Sequence, residues 1–183
     1  MAENLKTTKY NDGSSIPLVT DGTAWAALSS PGYCWYNNDA ASYKDLYGAL
    51  YNWYATEPAG NGGKNICPTG WHLPAQNEWV LLDSYLDPGL SGGKLKETGT
   101  SHWGSPNTGA SNESGFSALP GGYRSWDRGF FAMDMIMGNW WTLNTGPNDT
   151  YSQIRYLSYN LNLFQATTIS MRTGYSVRCI KDN

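Results

Sequence analysis

Charge is scarce in this chain: Asp, Glu, Lys and Arg together make up 15% of its 183 residues, and the formal net charge is -3. The few Lys and Arg are scattered and form no basic stripe for a phosphate backbone, so nucleic acid is not an expected partner. No apolar run approaches the roughly 18 residues of a membrane-spanning helix, and MAENLKTTKY lacks the apolar core of a signal peptide. The expectation is a chain with no membrane span that is either a mature domain or not exported on a signal of its own. Cysteine is limited to Cys34, Cys67 and Cys179, whose spacings match no zinc pattern. An odd number allows at most one internal disulfide, and the residues alone leave open either three buried thiols or one bridge. There are two histidines, His72 and His102, and neither lies in a nucleophile motif, so Ser-His-Asp catalysis has no support. His72 reads as a structural side chain bonded locally. The Gly-rich stretch EPAGNGGKN (57–65) lacks the following helix that a phosphate cradle needs.

What the chain has instead is aromatic residues, 14% in all, including nine Trp and thirteen Tyr. Such a sequence folds through aromatic packing and polar loops, and its length suits a single domain over 1–183. Tyr33–Tyr36 reads as a strand that ends at the helix cap Asp39. The spacing of Tyr43, Leu46, Tyr47, Leu50 and Tyr54 predicts a helix over 40–54 with these residues on its core face. A second helix is predicted over 75–86, with Pro74 and Glu78 at its start and Trp79, Leu82, Tyr85 and Leu86 as its apolar face. Residues 91–117 form a long polar loop with a short helix near 94–97 and two anchors, Trp103 and Phe116. Asn107, Asn112 and Glu113 are its oxygen donors toward calcium; without a dense Asp pattern they are a weak set. From Ala118 onward the pattern is that of strands: Gly121–Arg124, a central strand at 138–143, an alternating one at 154–160, and a closing one at 173–180.

Several motifs carry a resemblance. GWHLPAQNEW (70–79), GNWW (138–141) and GYSVRCI (174–180) resemble the formylglycine-generating-enzyme branch of the C-type lectin fold. AENLKTTKYNDG, GYCWYNND, YGALYNWYA, ICPTGWHLP, GGKLKETG, ESGFSALPGGYR and SVRCIKD resemble, in order and over nearly the whole chain, the Fibrobacter succinogenes major paralogous domain. Members of that family have a strand ahead of the AENL motif, where this sequence opens. The resemblance implies an α+β fold of C-type lectin-like type, with two helices packed on a twisted, mostly antiparallel sheet and long irregular loops. Residues 1–120 would be mainly scaffold, and 121–180 would hold the sheet and a ligand-binding face. In lectin-like folds a cysteine ahead of the second helix pairs with one in the last strand, which here implies a Cys67–Cys179 disulfide. The enzymatic relatives use a reactive cysteine pair near the C-terminal end. This chain has Cys179 alone there, so no enzymatic activity is expected.

Relatives of this fold include variable proteins of diversity-generating retroelements, whose C-terminal segments are altered to change ligand recognition. The resemblance therefore implies a non-enzymatic binding module at a cell surface, in a secreted protein or on a phage particle. The run Phe130, Phe131, Met133, Met135, Ile136 and Met137 is too apolar for an ordinary surface loop, and Met and aromatic side chains re-pack around different ligands. The expected face comprises Trp126, Phe131, Met133, Met135, Met137, Asn139, Leu143, Asn144, Tyr156, Ser158, Asn160, Leu161, Leu163, Gln165 and Thr167, for a protein or peptide ligand. The alternative is a carbohydrate-binding or adhesive domain in which Trp126, Trp140 or Trp141 stacks on sugar rings. No cofactor or metal is expected beyond the weak calcium set, and an apolar loop of this kind equally suits self-association.

Overall fold

In the computed structural model, which describes residues 1–145 and 150–182, short elements surround three clusters of buried aromatic and aliphatic side chains. Helix α1 (Gly22–Ala26) starts where the Asp21 carboxylate accepts from the Ala24 N–H at 2.7 Å, and it buries Trp25. Strand β1 (Tyr33–Cys34) pairs antiparallel with β2 (Leu50–Tyr51). Between them a 3-10 turn (Tyr36–Asn38) leads into α2 (Ala40–Tyr47), capped by Asp39 as expected. The helix predicted to continue to Tyr54 stops at Tyr47, because Gly48 takes φ +76° and comes so close to the Leu5 carbonyl that a Cβ would lie 2.7 Å from it. The predicted core stripe is therefore divided. Leu50 is core from a strand, Tyr43, Tyr47 and Tyr54 are half-buried, and Leu46 is exposed.

Two one-turn helices, α3 (Trp53–Thr56) and α4 (Pro58–Asn61), lead to β3 (Trp71–His72) and then to α5 (Gln76–Tyr85). Glu78 fixes the start of α5 by accepting from the Ala75 N–H at 2.8 Å. Trp79 and Leu86 are buried, but Tyr85, predicted for the same face, is 87% exposed. At 3.6 residues per turn it stands roughly 120° around the helix from Trp79, beyond the edge of the buried stripe. Helix α6 (Ser91–Leu95) follows, one turn earlier than predicted.

The C-terminal half supplies β4 (Gly121–Arg124), β5 (Phe131–Asp134), β6 (Met137–Thr145), β7 (Tyr151–Ser158), β8 (Gln165–Ser170) and β9 (Ile180–Lys181). Strands β4 and β5 form a hairpin, β6–β7–β8 a three-stranded antiparallel sheet, and β9 pairs with β3. The fold is α+β, built from short helices and small antiparallel sheets. Residues 173–179, read from the sequence as a regular strand, instead make single bridges that stitch three sheets together: Gly174 to Arg124, Tyr175 to Tyr51 and Ser176 to Trp140. Among the described residues no helix is long and apolar enough to cross a membrane.

Residues directly opposite in an antiparallel pair share a face. The register therefore puts Asn139, Trp141, Ile154, Tyr156, Gln165 and Thr167 on one face of the three-stranded sheet and Trp140, Arg155 and Leu157 on the other. Trp141 and Ile154 join the largest cluster with Tyr175 and Val177, while Trp140 and Leu157 pack with Trp79 and Phe164 beneath α5. Both tryptophans keep their indole N–H satisfied, Trp141 on the Tyr51 carbonyl at 2.7 Å and Trp140 on the Asn4 side-chain oxygen at 2.9 Å. The sheet is thus covered on both faces along its middle. Cys67 and Cys179 are joined by a disulfide with Cα atoms 5.9 Å apart, and Cys34 is a free buried thiol.

Candidate functional site

Solvent meets the sheet along its edge strand β8, where Ala166, Thr167 and Thr168 are exposed, and at one end. The pairing of Met137 with Ser158 places the β5–β6 turn and the β7–β8 connection side by side there. Main-chain bonds join them: the Tyr159 N–H donates to the Ile136 carbonyl at 3.0 Å, and the Thr108 N–H to the Tyr159 carbonyl at 2.8 Å. The Gly104 N–H donates to the Met135 carbonyl at 2.7 Å, so the long 91–117 segment packs beneath both turns. Beneath them lies Lys96, fully buried, whose Nζ donates to the carbonyls of Thr108 (2.8 Å), Ser158 (3.1 Å) and Leu161 (2.9 Å). Burial pushes its ammonium down to about 8, and the three acceptors use all three of its N–H donors. Nothing in the sequence around Leu95-Lys96-Glu97 announces this role, because the acceptors are main-chain atoms brought in by the fold. Close approach completes the join. A Cβ at Gly93 would lie 2.2 Å from both the Asn162 side-chain oxygen and the Gly109 carbonyl.

Above this fastening stand four apolar side chains: Met133 (43% exposed), Met135 (42%), Leu161 (38%) and Leu163 (42%). Met133 and Met135 hold φ of 65° and 60°, the left-handed region that costs a non-glycine residue about 1 kcal/mol or more. Asn160 is exposed beside Leu161, and Met137, Ser158, Tyr156 and Gln165 are partly exposed along the same end of the sheet. Thr167 is exposed two residues further along β8, the edge strand.

The remaining residues of the expected face lie elsewhere. Asn139 is buried: strand β4 crosses over it, and its side-chain amide donates to the Gly122 carbonyl at 3.2 Å, so it is scaffold and not display. Phe131 is half-buried between Tyr36 and the Arg124 guanidinium, with ring and cation centres 5.3 and 4.8 Å away. Trp126 is exposed, but it follows Arg124, which pairs with Phe131 at the end of the β4–β5 hairpin away from Asp134 and Met135. There Arg172 sits over its ring at 5.5 Å. Leu143 is exposed at the far end of β6, where its N–H donates to the Pro74 carbonyl at 2.9 Å. The Asn144 side chain lies outside the described residues. Trp140 and Trp141, named for sugar stacking, have no exposed surface at all.

Most groups with catalytic or metal-binding chemistry are buried or held by local partners. Desolvation pushes the Cys34 thiol up to about 12, far from a reactive thiolate. His72 lies between two carboxylates that sequence spacing did not bring together, Asp182 at 2.6 Å on Nδ1 and Glu78 at 2.9 Å on Nε2. Of the calcium set, the Asn107 amide N–H groups donate to the Glu97 and Gly99 carbonyls while its side-chain oxygen is buried without a partner, Asn112 closes a turn onto Ser117, and Glu113 pairs with Lys94 at 3.7 Å. Among the described residues no three His, Cys, Asp or Glu side chains are grouped to hold a metal ion.

No curated protein and no solved structure matches the chain. The family model described as the Fibrobacter succinogenes major domain matches residues 1–181, nearly the full length, and the chain belongs to that family.

Proposed function

We propose that this chain is a non-enzymatic ligand-binding module of C-type lectin-like type, presenting a variable C-terminal surface to a protein or peptide ligand as variable proteins of diversity-generating retroelements do. One observation carries the reading: Met133, Met135, Leu161 and Leu163 share one end of the sheet and stay exposed although two turns and a buried lysine fasten the backbone beneath them. Leu163 and Leu161 give area, while methionine re-packs against partners of different shape, which suits protein surfaces better than hydroxyl-rich sugars. The Cys67–Cys179 disulfide and the burial of the free Cys34 thiol support a role without catalysis.

The test begins with peptides selected on the immobilised protein from a random phage-displayed library. Affinity is then measured for the native chain and for a variant carrying Met133→Ser, Met135→Ser, Leu161→Ser and Leu163→Ser, with near-ultraviolet circular dichroism reporting the aromatic cores. A loss of at least about tenfold is expected, since each buried apolar side chain contributes about 1.5 kcal/mol or more. Unchanged affinity in a folded variant overturns the proposal.

A second reading, a carbohydrate-binding or adhesive domain, is favoured by one feature, the exposed Trp126 ring with Arg172 stacked over it. Glycan-array binding that is lost in Trp126→Ala and retained in the four-residue tip variant would favour it over the first.

A further inference from the structure

Between α5, β3 and the segment 178–181 lies a cavity of about 360 Å³ that shares no residue with the displayed tip. Trp71, Trp79, Leu82 and Phe116 line it, Arg178 forms part of its wall, and Lys181 stands at its exposed rim. A polar group in these walls lacks what burial normally demands.

It is Arg178, 3% exposed. Its Nε donates to the Asn4 side-chain oxygen at 3.3 Å and its Nη1 to the Phe116 carbonyl, and the guanidinium lies 4.0 Å from the centre of the Phe116 ring. Among the described residues no carboxylate comes within ion-pair distance of it. Glu3, the acid whose charge reaches it, is paired with Lys6 at 2.7 Å. Glu78 is also on the cavity wall, but His72 and the Ala75 N–H hold its carboxylate. Buried cations are ordinarily matched by an anion, because the cost of desolvation is otherwise uncompensated. Trp79 packs in the same wall, with its indole N–H buried away from the cavity space.

We propose that this cavity is a second ligand site, for a small amphipathic anion with an aliphatic or aromatic body and one carboxylate-type group. The body lies against Trp71, Leu82 and Phe116, whose surfaces make the cavity predominantly apolar. The acid group accepts from the Arg178 guanidinium, and Lys181 adds positive potential at the mouth. A neutral molecule of the same shape fills the cavity but leaves the guanidinium without an anion, so the site selects for charge. The inference stands apart from the displayed tip, and the failure of either leaves the other intact.

Titration of the ¹⁵N-labelled full chain with octanoate and, separately, with 1-octanol tests it, read at the Trp79 indole N–H resonance assigned through Trp79→Phe. A saturable shift with octanoate is expected, at an affinity about tenfold above that for 1-octanol, the range of one charge-assisted hydrogen bond. Leu82→Trp, which fills the cavity from a half-buried position, is expected to abolish the shift while the other indole signals stay dispersed. The absence of a saturable Trp79 shift, equal affinity for octanoate and 1-octanol, or unchanged octanoate affinity in folded Leu82→Trp would each overturn the proposal. The titration of the native chain decides the matter even if that variant does not fold.

Discussion

Replacing Lys96 with methionine removes the cation that fastens the two turns while keeping its volume and apolar stem. The carbonyls of Thr108 and Leu161 then lose this donor, while that of Ser158 keeps the Leu161 N–H at 3.4 Å. A fully buried orphan carbonyl costs about 1–3 kcal/mol, and because Thr108 is half-buried and Leu161 exposed, the low end applies, about 2 kcal/mol in total. Methionine also relieves the desolvation that pushes the ammonium down, which returns part of this and leaves a net loss of about 1 kcal/mol. For a chain of this length that corresponds to a fall in Tm of about 2–4 °C. The measurement is best made near pH 6.5, below the lowered pKa, where all three N–H donors are present. Hydrogen exchange supplies the local reading: amides from Ser158 to Phe164 should lose protection before those of β6. Lys96→Arg should not restore stability, since a planar guanidinium cannot aim at three carbonyls converging on one point. Unchanged Tm together with unchanged exchange in the β7–β8 connection would refute the role given to Lys96.

The Cys67–Cys179 bridge closes a loop with a sequence separation of 112, for which the chain-entropy model gives about 4–5 kcal/mol; paired Cys67→Ser and Cys179→Ser should lower denaturant stability by about 2–5 kcal/mol. The hydrogen bond to Asp182, aided by Glu78, raises the pKa of His72 above its ordinary value near 6.5, so the stability it provides is complete below that pH and is lost as pH rises through the raised value. Denaturant midpoints measured from pH 6 upward should fall in the native chain and fall less in His72→Gln, and equal slopes would contradict the assignment. Asn139→Ala should cost about 1–2 kcal/mol by orphaning the Gly122 carbonyl while leaving peptide affinity unchanged; lost affinity with stability intact would return Asn139 to the displayed surface.

The helix at Gln76–Tyr85 was legible because its start carries local chemistry, Pro74 and a Glu78 that caps its own turn, and because Trp79, Leu82 and Leu86 repeat at helical spacing. The alternation around 154–160 was legible for the same reason, as a period of two needs no knowledge of the partner strand. The end of α2 was not, since five aromatic and aliphatic residues continue the helical spacing while the left-handed backbone at Gly48 answers to the distant Leu5 carbonyl. The exposure of the candidate residues was half legible. Apolarity marked Met133, Met135, Leu161 and Leu163, but Asn139, with the same alternation, is roofed by β4, and Trp126 and Leu143 stand at other ends of their strands. Arg178 and Lys96 escaped because their buried positions depend on main-chain atoms and rings from remote segments.

The fastening beneath the tip has a consequence for how this sequence can change. Tyr159 to Ile136, Gly104 to Met135, Thr108 to Tyr159 and two of the three Lys96 bonds, to Ser158 and Leu161, hold those positions by peptide groups, which every residue type but proline supplies in full. Substitution at 135, 158 or 161 changes the side chain while leaving these main-chain hydrogen bonds in place. Tolerance to mutation is thus greater at these outward-facing positions than at Lys96, one side chain that has no main-chain substitute.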